Sequence, residues 1–174
     1  MSCLLTTGFD IECNDGVGGL EPGSFLITQK ENITTVTTVA GAITVLTQVG
    51  GTSFFRYRLR KNTQNFDGAN TNTPETGVNF IANTLVLLMM KMSAAKNVEL
   101  KLVTQKPNIC IVRDLNGVYH AFGIETGMEF SINSSSGKAY ADMNGYTLTG
   151  IEESKDRYTV DASVIASLVI GNPS

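Results

Sequence analysis

A single histidine is the first candidate for acid–base chemistry in this sequence. His120 lies in an alternating run of residues that predicts a strand, and Asp114, Glu125 and Glu129 are near it in sequence. A carboxylate beside an imidazole can make the ring a general base. The alternative is a strand histidine that is exposed or hydrogen-bonded. Because no nucleophile-elbow pattern accompanies His120, we predict that the protein is not an enzyme and has no catalytic residue.

Three other groups have side chains of the right type for ligands, without the spacing that binding requires. The cysteines are Cys3, Cys13 and Cys110. Their odd number and the absence of CxxC spacing indicate inert thiols in a reducing compartment. The carboxylates of Asp10, Glu12 and Asp15 miss the spacing of an EF-hand, and the glycines within residues 16–19 match no phosphate-binding pattern. We therefore predict no metal and no cofactor.

The composition indicates a β-rich protein with few charges. The chain has 174 residues, of which 42% are hydrophobic and 17% are charged, and its net charge is −3. Ordinary domains carry about 25% charged residues. Since there is no basic excess, sequence-specific recognition of nucleic acid is not expected. The length and apolar content suffice for one core, so we predict a single domain over residues 1–174.

Alternation of apolar and polar residues predicts mostly strands. We expect strands at residues 24–30, within 33–49 on both sides of a turn at 40–41, and at 54–60, 78–91, 109–114, 118–123, 127–132 and 145–151. Gly41 and the Asn116–Gly117 pair tolerate positive φ and favour hairpin turns. The unbroken apolar run at 85–90 predicts a central strand buried on both faces. The expected fold is mainly β, a sandwich or barrel.

One helix is expected, over residues 94–105. The Ser93 hydroxyl can accept a hydrogen bond from its first turn, and Pro107 prevents its continuation. Its apolar residues at helical spacing are Ala95, Val98 and Leu102, with Val103 at the flank. A helix with one apolar stripe packs on a sheet through that stripe. The sequence therefore predicts one α-helix flanking the β-sandwich or barrel.

A row of arginines lies in the predicted strand at 54–60. The two faces of that strand hold Arg56, Arg58 and Arg60 on one side and Phe55, Tyr57 and Leu59 on the other. Like charges on one face repel each other unless acids, solvent or another molecule face them. Arginine suits bidentate pairing with carboxylates at interfaces. We therefore predict the three arginines as subunit-interface residues, with solvent exposure or intrachain pairing as the alternative.

Three segments are predicted to be appendages of the core. Residues 1–23 are rich in glycine and other turn formers and predict an irregular docking arm. Residues 62–77 have no apolar periodicity and predict a long exposed loop. Residues 162–174 predict an apolar C-terminal tail that needs a surface to lie on. The candidate subunit contacts in the last two segments are Asn65, Asn70, Pro74, Val164 and Leu168.

Five groups of residues, taken in order, resemble a known family. They are residues 2–5 with 15–19, residues 57–63, residues 92–102, residues 112–119 and residues 142–150. Each group consists mostly of residues that are common in turns or helices, so one group alone is weak evidence for a family. The specific evidence is the order in which the five groups follow one another. Together they resemble virion structural proteins of tailed bacteriophages that infect Bacteroidota, including phages of the crAss-like group. The arginine row is more charged than that family leads us to expect.

The resemblance implies a tail-tube-like subunit, a β-sandwich or barrel with one helix. Such a subunit assembles into rings of a tail tube or a short tail barrel through which DNA passes without sequence readout. The implied partners are copies of the same chain and neighbouring tail or connector proteins. The implied location is the virion tail, after synthesis in the bacterial cytoplasm. We also expect the ring lumen to be polar and net negative, so that DNA does not adhere.

A second interpretation belongs to a different class of protein. A capsid decoration protein, or an adhesin-like β-sandwich that binds other molecules, would also be β-rich and weakly charged. Oligomeric state separates the two, because a ring former assembles and a decoration or adhesin module can remain a monomer. No membrane partner is expected, because the most apolar window, residues 85–90, is far shorter than the roughly 20 residues of a spanning helix. The first residues also lack the pattern of a signal peptide.

Overall fold

A computed structural model describes residues 8–9 and 15–171 and shows two packed β-sheets. The strands are β1 (Phe25–Gln29), β2 (Ile33–Val39), β3 (Ala42–Gln48), β4 (Phe54–Tyr57), β5 (Gln64–Thr73), β6 (Val78–Met90), β7 (Asn108–Arg113), β8 (Tyr119–Phe122), β9 (Glu129–Ser135), β10 (Gly145–Ser154), β11 (Tyr158–Val160) and β12 (Ile170–Gly171). The helices are α1 (Ala94–Gln105) and the short α2 (Ala162–Ser167). The predicted mainly β sandwich with one flanking helix is confirmed.

The larger sheet has eight strands in the order β12-β4-β1-β7-β8-β11-β3-β2. Its pairs are antiparallel, except that β11 lies parallel to β3 and β12 lies parallel to β4. The smaller sheet has four antiparallel strands in the order β5-β6-β10-β9. The two sheets face each other, as in other β-sandwiches. Each sheet therefore ends in two strands with an open edge.

Two hairpin turns follow the predicted turn chemistry. Ala40 and Gly41 connect β2 to β3 with φ of 50° and 84°, the pair of positive values that a type I′ turn requires. Between β7 and β8, only Gly117 has a positive φ, at 91°, and the amide of Gly117 donates to the Asp114 carbonyl. That connection is a turn followed by a left-handed glycine, one residue longer than the expected two-residue turn.

Two hydrophobic clusters lie on opposite faces of the larger sheet. The first fills the space between the sheets and includes Phe25, Ile27, Leu85, Leu87, Cys110, Val112 and Leu148. The second lies on the far side under α2 and includes Leu26, Ile43, Phe54, Ile109, Ile111 and Val164. Since side chains alternate along a strand, β1 and β7 contribute to both clusters. β8 does so as well, through Phe122 in the first cluster and Ala121 in the second.

The prediction that residues 85–90 are buried on both faces is wrong. β6 is central in the smaller sheet, between β5 and β10. Leu85, Leu87 and Met89 are buried in the first cluster, whereas Val86 and Leu88 on the other face are half-exposed. That outer face has no second layer over it among the described residues. An unbroken apolar run is typical of a strand that is buried on both faces, but in β6 one half of the run lies on an uncovered face.

The prediction of a long loop at residues 62–77 is also wrong. β5 occupies Gln64–Thr73 and pairs with β6 in unbroken register from Gln64↔Leu87 to Thr73↔Val78. Residues 62–63 and the hairpin turn between Thr73 and Val78 remain irregular. A strand rich in Asn and Thr has no apolar alternation because it lies at the edge of the sheet and buries little. Backbone pairing with β6 holds it in place.

The predicted apolar tail at 162–174 is part of the folded core in residues 162–171. α2 covers the second cluster, where Val164 and Leu168 are buried with relative exposures of 4% and 9%. β12 then pairs with β4 through Ile170↔Phe54. The prediction that Val164 and Leu168 contact another subunit is therefore wrong, because their side chains are covered by their own chain. Residues 172–174 lie outside the described residues.

Helix α1 has the predicted bounds and cap but a different buried face. Ser93 Oγ accepts from the Lys96 amide at 3.3 Å, which confirms the cap. The buried residues are Leu100 and Val103. The predicted stripe is wrong, because Val98 is 65% exposed and Leu102 is 47% exposed. The helix lies on the sandwich through two apolar side chains and presents its other apolar residues to solvent.

The described part of the predicted arm, residues 15–23, lies against the β7–β8 hairpin. Leu20 is buried and forms an isolated bridge with Asp114, and the Val17 amide donates to Asn116 Oδ1 at 2.8 Å. Residues 1–7 and 10–14 of the arm lie outside the described residues. Across the described part of the chain, neither helix has the length and apolarity to cross a bilayer.

Candidate functional site

A cleft of about 820 Å³ lies between β4 and α1. We call it the basic cleft. One wall is β4 and the residues that follow it, the other is the first half of α1, and the end of β6 closes it. Its lining residues are Phe55, Arg56, Tyr57, Arg58, Leu59, Arg60, Leu88, Met89, Met90, Lys91, Ser93, Ala95, Lys96, Glu99, Leu100 and Gly171.

All three predicted interface arginines line this cleft, although not on one regular strand. β4 ends at Tyr57, so Arg58 and Arg60 lie in extended chain beyond it. Arg56 is half-buried, whereas Arg58 and Arg60 are exposed. The buried phenylalanine of β4 is Phe54, and Phe55 is 49% exposed. Alternation placed Arg58 and Arg60 on an exposed face, as the structure shows. It also placed Phe55 on the face opposite the arginines, but the phenylalanine that is buried in the core is Phe54.

The positive charge of the cleft is not neutralised by ion pairs among the described residues. Ion pairs within residues 8–9 and 15–171 join Lys106 to Glu31, Arg113 to Glu21 and His120 to Asp114. None involves an arginine or lysine of the cleft. Arg56 Nε is buried without a hydrogen-bond partner in that same part of the chain. The alternative of intrachain pairing for the arginine row is therefore excluded for the described residues.

Charge is strongly concentrated in the basic cleft. The chain has 13 Lys and Arg and 16 Asp and Glu. Five of the cations line the cleft, with one carboxylate, Glu99. A concave surface lined by one sign of charge focuses the electric field and attracts the opposite charge. An otherwise acidic protein thus carries a local site for anions.

The single carboxylate of the cleft is already engaged by a phenol. Tyr57 Oη donates to Glu99 Oε1 at 3.3 Å and so ties α1 to β4. Burial, followed by the neighbouring Glu99 carboxylate, raises the pKa of the Tyr57 phenol. The phenol therefore stays protonated and remains a donor at neutral pH. Glu99 is held by this contact and forms no ion pair with the arginines of the cleft.

Lys96 positions the helix against the end of β6. Its Nζ donates to the carbonyls of Met90 and Lys91 at 2.7 and 2.8 Å. These bonds satisfy two backbone acceptors at the turn between β6 and α1, where Lys91 has a φ of 66°. The width of the cleft is thus set by backbone contacts at this end and by the Tyr57–Glu99 contact along its side.

The remaining predicted contact residues lie on the β5–β6 hairpin. Asn65 and Asn70 are exposed on β5, and Pro74 lies in the exposed turn. They lie on a different element from the arginines. Their role at a subunit interface stays a prediction.

The histidine–carboxylate pair that the sequence suggested is present. His120 Nε2 lies 3.2 Å from Asp114 Oδ2, while Asp114 Oδ1 accepts from the Val118 amide at 2.8 Å. Burial opposes ionisation of Asp114, but the bonds from Val118 and His120 outweigh it and lower the pKa of this carboxyl. Phe66 covers the imidazole at 4.9 Å between ring centres. The pair closes the β7–β8 hairpin turn. It therefore matches the alternative interpretation of His120 as a hydrogen-bonded strand histidine. Glu125 bonds elsewhere, to Tyr158.

One buried acid escaped sequence analysis. Glu152 on β10 is 3% exposed, and its Oε2 has no hydrogen-bond partner among the described residues. Burial raises the pKa of its carboxyl, against hydrogen bonds from the Gly123 amide and Asn83 that lower it. Glu152 lines neither the basic cleft nor the pocket between β3 and α2. Its inward direction on an alternating strand was the available signal.

Some of the cysteines and carboxylates that were considered as ligands lie outside the described residues. Within residues 8–9 and 15–171, no three His, Cys, Asp or Glu side chains are grouped as metal ligands. Asp10 and Glu12 lie outside that range, as do Cys3 and Cys13. Cys110 is buried in the first cluster, and burial raises the pKa of its thiol. Cys110 is thus a core residue without access to reactants.

Comparisons with models of known protein families, with curated proteins and with solved structures find no match for this chain.

Proposed function

We propose that the protein is a virion structural subunit that assembles into rings of a phage tail tube or tail barrel through which DNA passes. The sequence resemblance suggests this assembly, and the mainly β fold with one helix agrees with it. The observation that carries the proposal is the long, regular edge strand β5 of the smaller sheet, which has no further strand beside it among the described residues. Copies of the same chain and adjoining tail or connector proteins would cover that edge in the virion.

The edge strands differ in how well they are protected: β12 has only two residues and β2 has two irregularities in its register with β3, whereas β5 and β9 pair with their neighbours in unbroken register. Monomeric β-proteins protect edge strands with lysines, prolines, bulges or short lengths. β2 and β5 have seven and ten residues and contain no lysine, arginine or proline. β2 carries no charge at all and exposes most of its threonines. Such edges present rows of unpaired backbone groups to other strands, which favours assembly over a free monomer.

The direction of the free backbone groups on β5 follows from one hydrogen bond. The Leu88 amide donates to the Thr63 carbonyl at 2.9 Å, so Thr63 and Leu88 form a bonded pair. In an antiparallel ladder, bonded and non-bonded pairs alternate. Thr71 therefore bonds to β6, whereas the backbone groups of Asn70 point to the open edge. Arg157 confirms this phase, because its Nη2 donates to the outward carbonyl of Gly68 at 2.8 Å.

The outer face of the smaller sheet is a second uncovered surface. Val86, Leu88 and Met90 on β6 lie beside Thr147 and Thr149 on β10, according to the strand register. This face is apolar in its centre and is bordered by neutral polar residues at one end and by Asp67, Glu129 and Glu153 towards the other. A closed ring needs two different patches on each copy that fit each other. The open edges and this face provide several distinct patches on one subunit.

Electron microscopy and light scattering of the purified chain test the proposal directly. We expect rings or stacked rings, with a mass that increases with concentration. The critical variant is Asn70→Pro, which removes an amide that points to the open edge. The matched control is Thr71→Pro, which removes an amide bonded to β6. Proline is tolerated in strands only where its missing N–H faces outward.

We expect opposite results from the two proline variants. Asn70→Pro changes the free energy of unfolding by less than about 1 kcal/mol and reduces assembly. Thr71→Pro lowers the free energy of unfolding by about 3 kcal/mol, since it breaks a ladder bond. A wild-type chain that stays monomeric at every concentration would contradict the ring proposal and favour a decoration or adhesin-like module. Normal assembly of Asn70→Pro would show that the β5 edge is not part of the interface.

A further inference from the structure

Nothing in the described part of the chain pairs with the arginines of the basic cleft or covers its apolar lining. Arg58 and Arg60 form an exposed rim. Leu59, Met89 and Leu100 line the interior of the cleft. Unpaired cations around an apolar floor repel one another and gain most from a ligand that brings carboxylates and apolar side chains together. The occupant that fits is an acidic, partly apolar peptide segment.

The chain itself contains such a segment at its start. Residues 1–29 include no lysine or arginine, and the acids within residues 1–15 are Asp10, Glu12 and Asp15. Phe9, Asp10, Ile11 and Glu12 alternate between apolar and acidic side chains. In extended backbone, this alternation places both carboxylates on one side and both apolar side chains on the other. The segment is thus complementary to a cationic rim above an apolar floor.

The one described aromatic residue of this segment, Phe9, does not fill the cleft of its own chain. The Phe9 side chain is fully exposed, although a phenylalanine buried in a contact gains free energy from leaving water. The arm is held to the body farther along, where the Val17 amide donates to Asn116. The residues before that point are long enough to reach another molecule, since 14 extended residues span roughly 45 Å.

We propose that the N-terminal segment, residues 1–14, of one copy docks into the basic cleft of a neighbouring copy. Asp10 and Glu12 pair with Arg58 and Arg60, and Phe9 enters the apolar part of the cleft. This inference rests on the proposed ring assembly and assigns one of its two complementary patches. The contact is heterologous, because the segment and the cleft are different surfaces, and such contacts close rings.

A nucleic-acid backbone is the competing ligand for a cleft lined by cations. The net charge of −3 on the chain disfavours a polyanion at long range. The acidic segment also accounts for the apolar lining, which phosphates do not use. Binding of a double-stranded DNA fragment to the full chain is therefore one measurement in the test.

Charge reversal in two separate chains tests the docking between copies. The arm variant is Asp10→Arg with Glu12→Arg, and the cleft variant is Arg58→Glu with Arg60→Glu. Each alone brings like charges together, so we expect the concentration for half-assembly to rise by about tenfold or more. In an equimolar mixture, the basic arm meets a cleft whose rim at positions 58 and 60 is now acidic, and the acidic arm meets the unchanged basic rim. The mixture therefore recovers assembly.

The mixture distinguishes docking between copies from docking within one chain. In each variant chain the arm and the cleft of the same molecule have like charges, so docking within a chain is not restored by mixing. Lys101→Glu on the exposed side of α1 is the control, because Lys101 does not line the cleft. It should assemble as the wild type does. Circular dichroism melting should show that all variants are folded, since the changed cleft residues are exposed.

The outcomes separate this inference from the ring proposal. Recovery in the mixture supports docking between copies. Wild-type rings that are unaffected by either variant, or variants that do not recover on mixing, overturn the docking while the ring proposal stands. A wild-type monomer at all concentrations rejects the ring proposal first and the docking with it. DNA binding that is lost in the cleft variant, with assembly unchanged, would assign the cleft to nucleic acid instead.

Discussion

Glu152 is the side chain with the least favourable surroundings in the described core. It lies between the sheets, where Asn83 and Ser154 are also buried. The Asn83 Nδ2 donates to Ser154 Oγ at 3.1 Å, so these three residues form a small polar group in an apolar layer. A buried carboxylate loses hydration that its few hydrogen bonds do not replace. Ionised Glu152 therefore costs stability.

The pH dependence of stability should report this cost. Burial raises the folded-state pKa of Glu152 above its ordinary value of 4.5. The folded state then holds the proton more tightly than the unfolded state does. The resulting stabilisation is complete below pH 4.5 and is lost as the pH rises through the raised value. Glu152→Gln removes this titration, so its melting temperature should fall less between pH 4.5 and pH 8 than that of the wild type.

The neighbouring acid provides the matched control. Glu153 is exposed and points to the opposite face of β10. Glu153→Gln should therefore keep the pH dependence of the wild type. The measurement is thermal unfolding followed by circular dichroism at closely spaced pH values. Equal slopes for Glu152→Gln and the wild type would mean that the Glu152 carboxyl does not titrate differently on folding.

Sequence reasoning located part of the candidate site at the scale of single residues. Arg56, Arg58 and Arg60 were predicted as interface residues because their spacing puts like charges together. The spacing does not show which acids lie nearby in space. Only the folded chain shows that Glu99 is the one carboxylate in the cleft and that Tyr57 engages it. The lysines of the cleft come from other elements and could not be grouped with the arginines in advance.

Helix α1 shows why the bounds of an element are easier to predict than its orientation. Ser93 and Pro107 mark its two ends through local chemistry, and the structure agrees. The buried face depends on which residues the sheets can receive. Ala95, Val98 and Leu102 offered a regular stripe, yet the contact uses Leu100 and Val103. Which face of the helix is exposed depends on its packing against the sheets, and the spacing of apolar residues alone does not determine it.

Two neighbouring leucines on α1 test this orientation. Leu100 is 2% exposed, and Leu102 is 47% exposed. Leu100→Ala should lower the free energy of unfolding by about 2–4 kcal/mol, because it leaves a cavity in the first cluster. Leu102→Ala should change it by less than about 1 kcal/mol. Urea denaturation measures both. A larger effect at Leu102 than at Leu100 would show that the predicted stripe faces the core after all.

β5 was missed for a related reason. Strand prediction relies on apolar alternation, and this strand buries only Gln64 fully. The β2–β3 and β7–β8 hairpins were predicted because glycine marks their turns and apolar residues mark their strands. β5 depends on its neighbour, since ten consecutive residues pair with β6. An edge strand that is held mainly by backbone hydrogen bonds needs no apolar alternation, so its sequence does not predict it.

At the scale of the whole molecule, the β5–β6 hairpin extends beyond the sheet that supports it. β10 pairs with β6 only as far as Ser154↔Ile81. The pairs from Thr71↔Phe80 to Thr73↔Val78 therefore have no third strand beside them. We call residues 71–80 the hairpin tip. The tip is the part of residues 62–77 and their partner strand that remains available for contact between stacked rings.

Two deletions separate the stacking role of the tip from the folding role of the strand. Replacing residues 72–79 by Asn-Gly retains the bonded Thr71↔Phe80 pair, which a two-residue turn can close. The residues removed are exposed or half-exposed. Stability should therefore change by less than about 1 kcal/mol. Removing residues 62–77 instead eliminates Gln64, whose Nε2 donates to the carbonyls of Leu20 and Glu21. That chain should not fold.

If the tip joins rings, the short-tip variant should form single rings but no stacks. Electron microscopy at a fixed protein concentration counts both species, and sedimentation velocity measures them in solution. Asn70→Pro is the comparison, because a defect at the β5 edge should reduce ring closure itself. Stacks of wild-type length from the short-tip variant would exclude the tip from ring-to-ring contact. The two variants thus assign the two ends of one hairpin to different steps of assembly, ring closure at the edge and stacking at the tip.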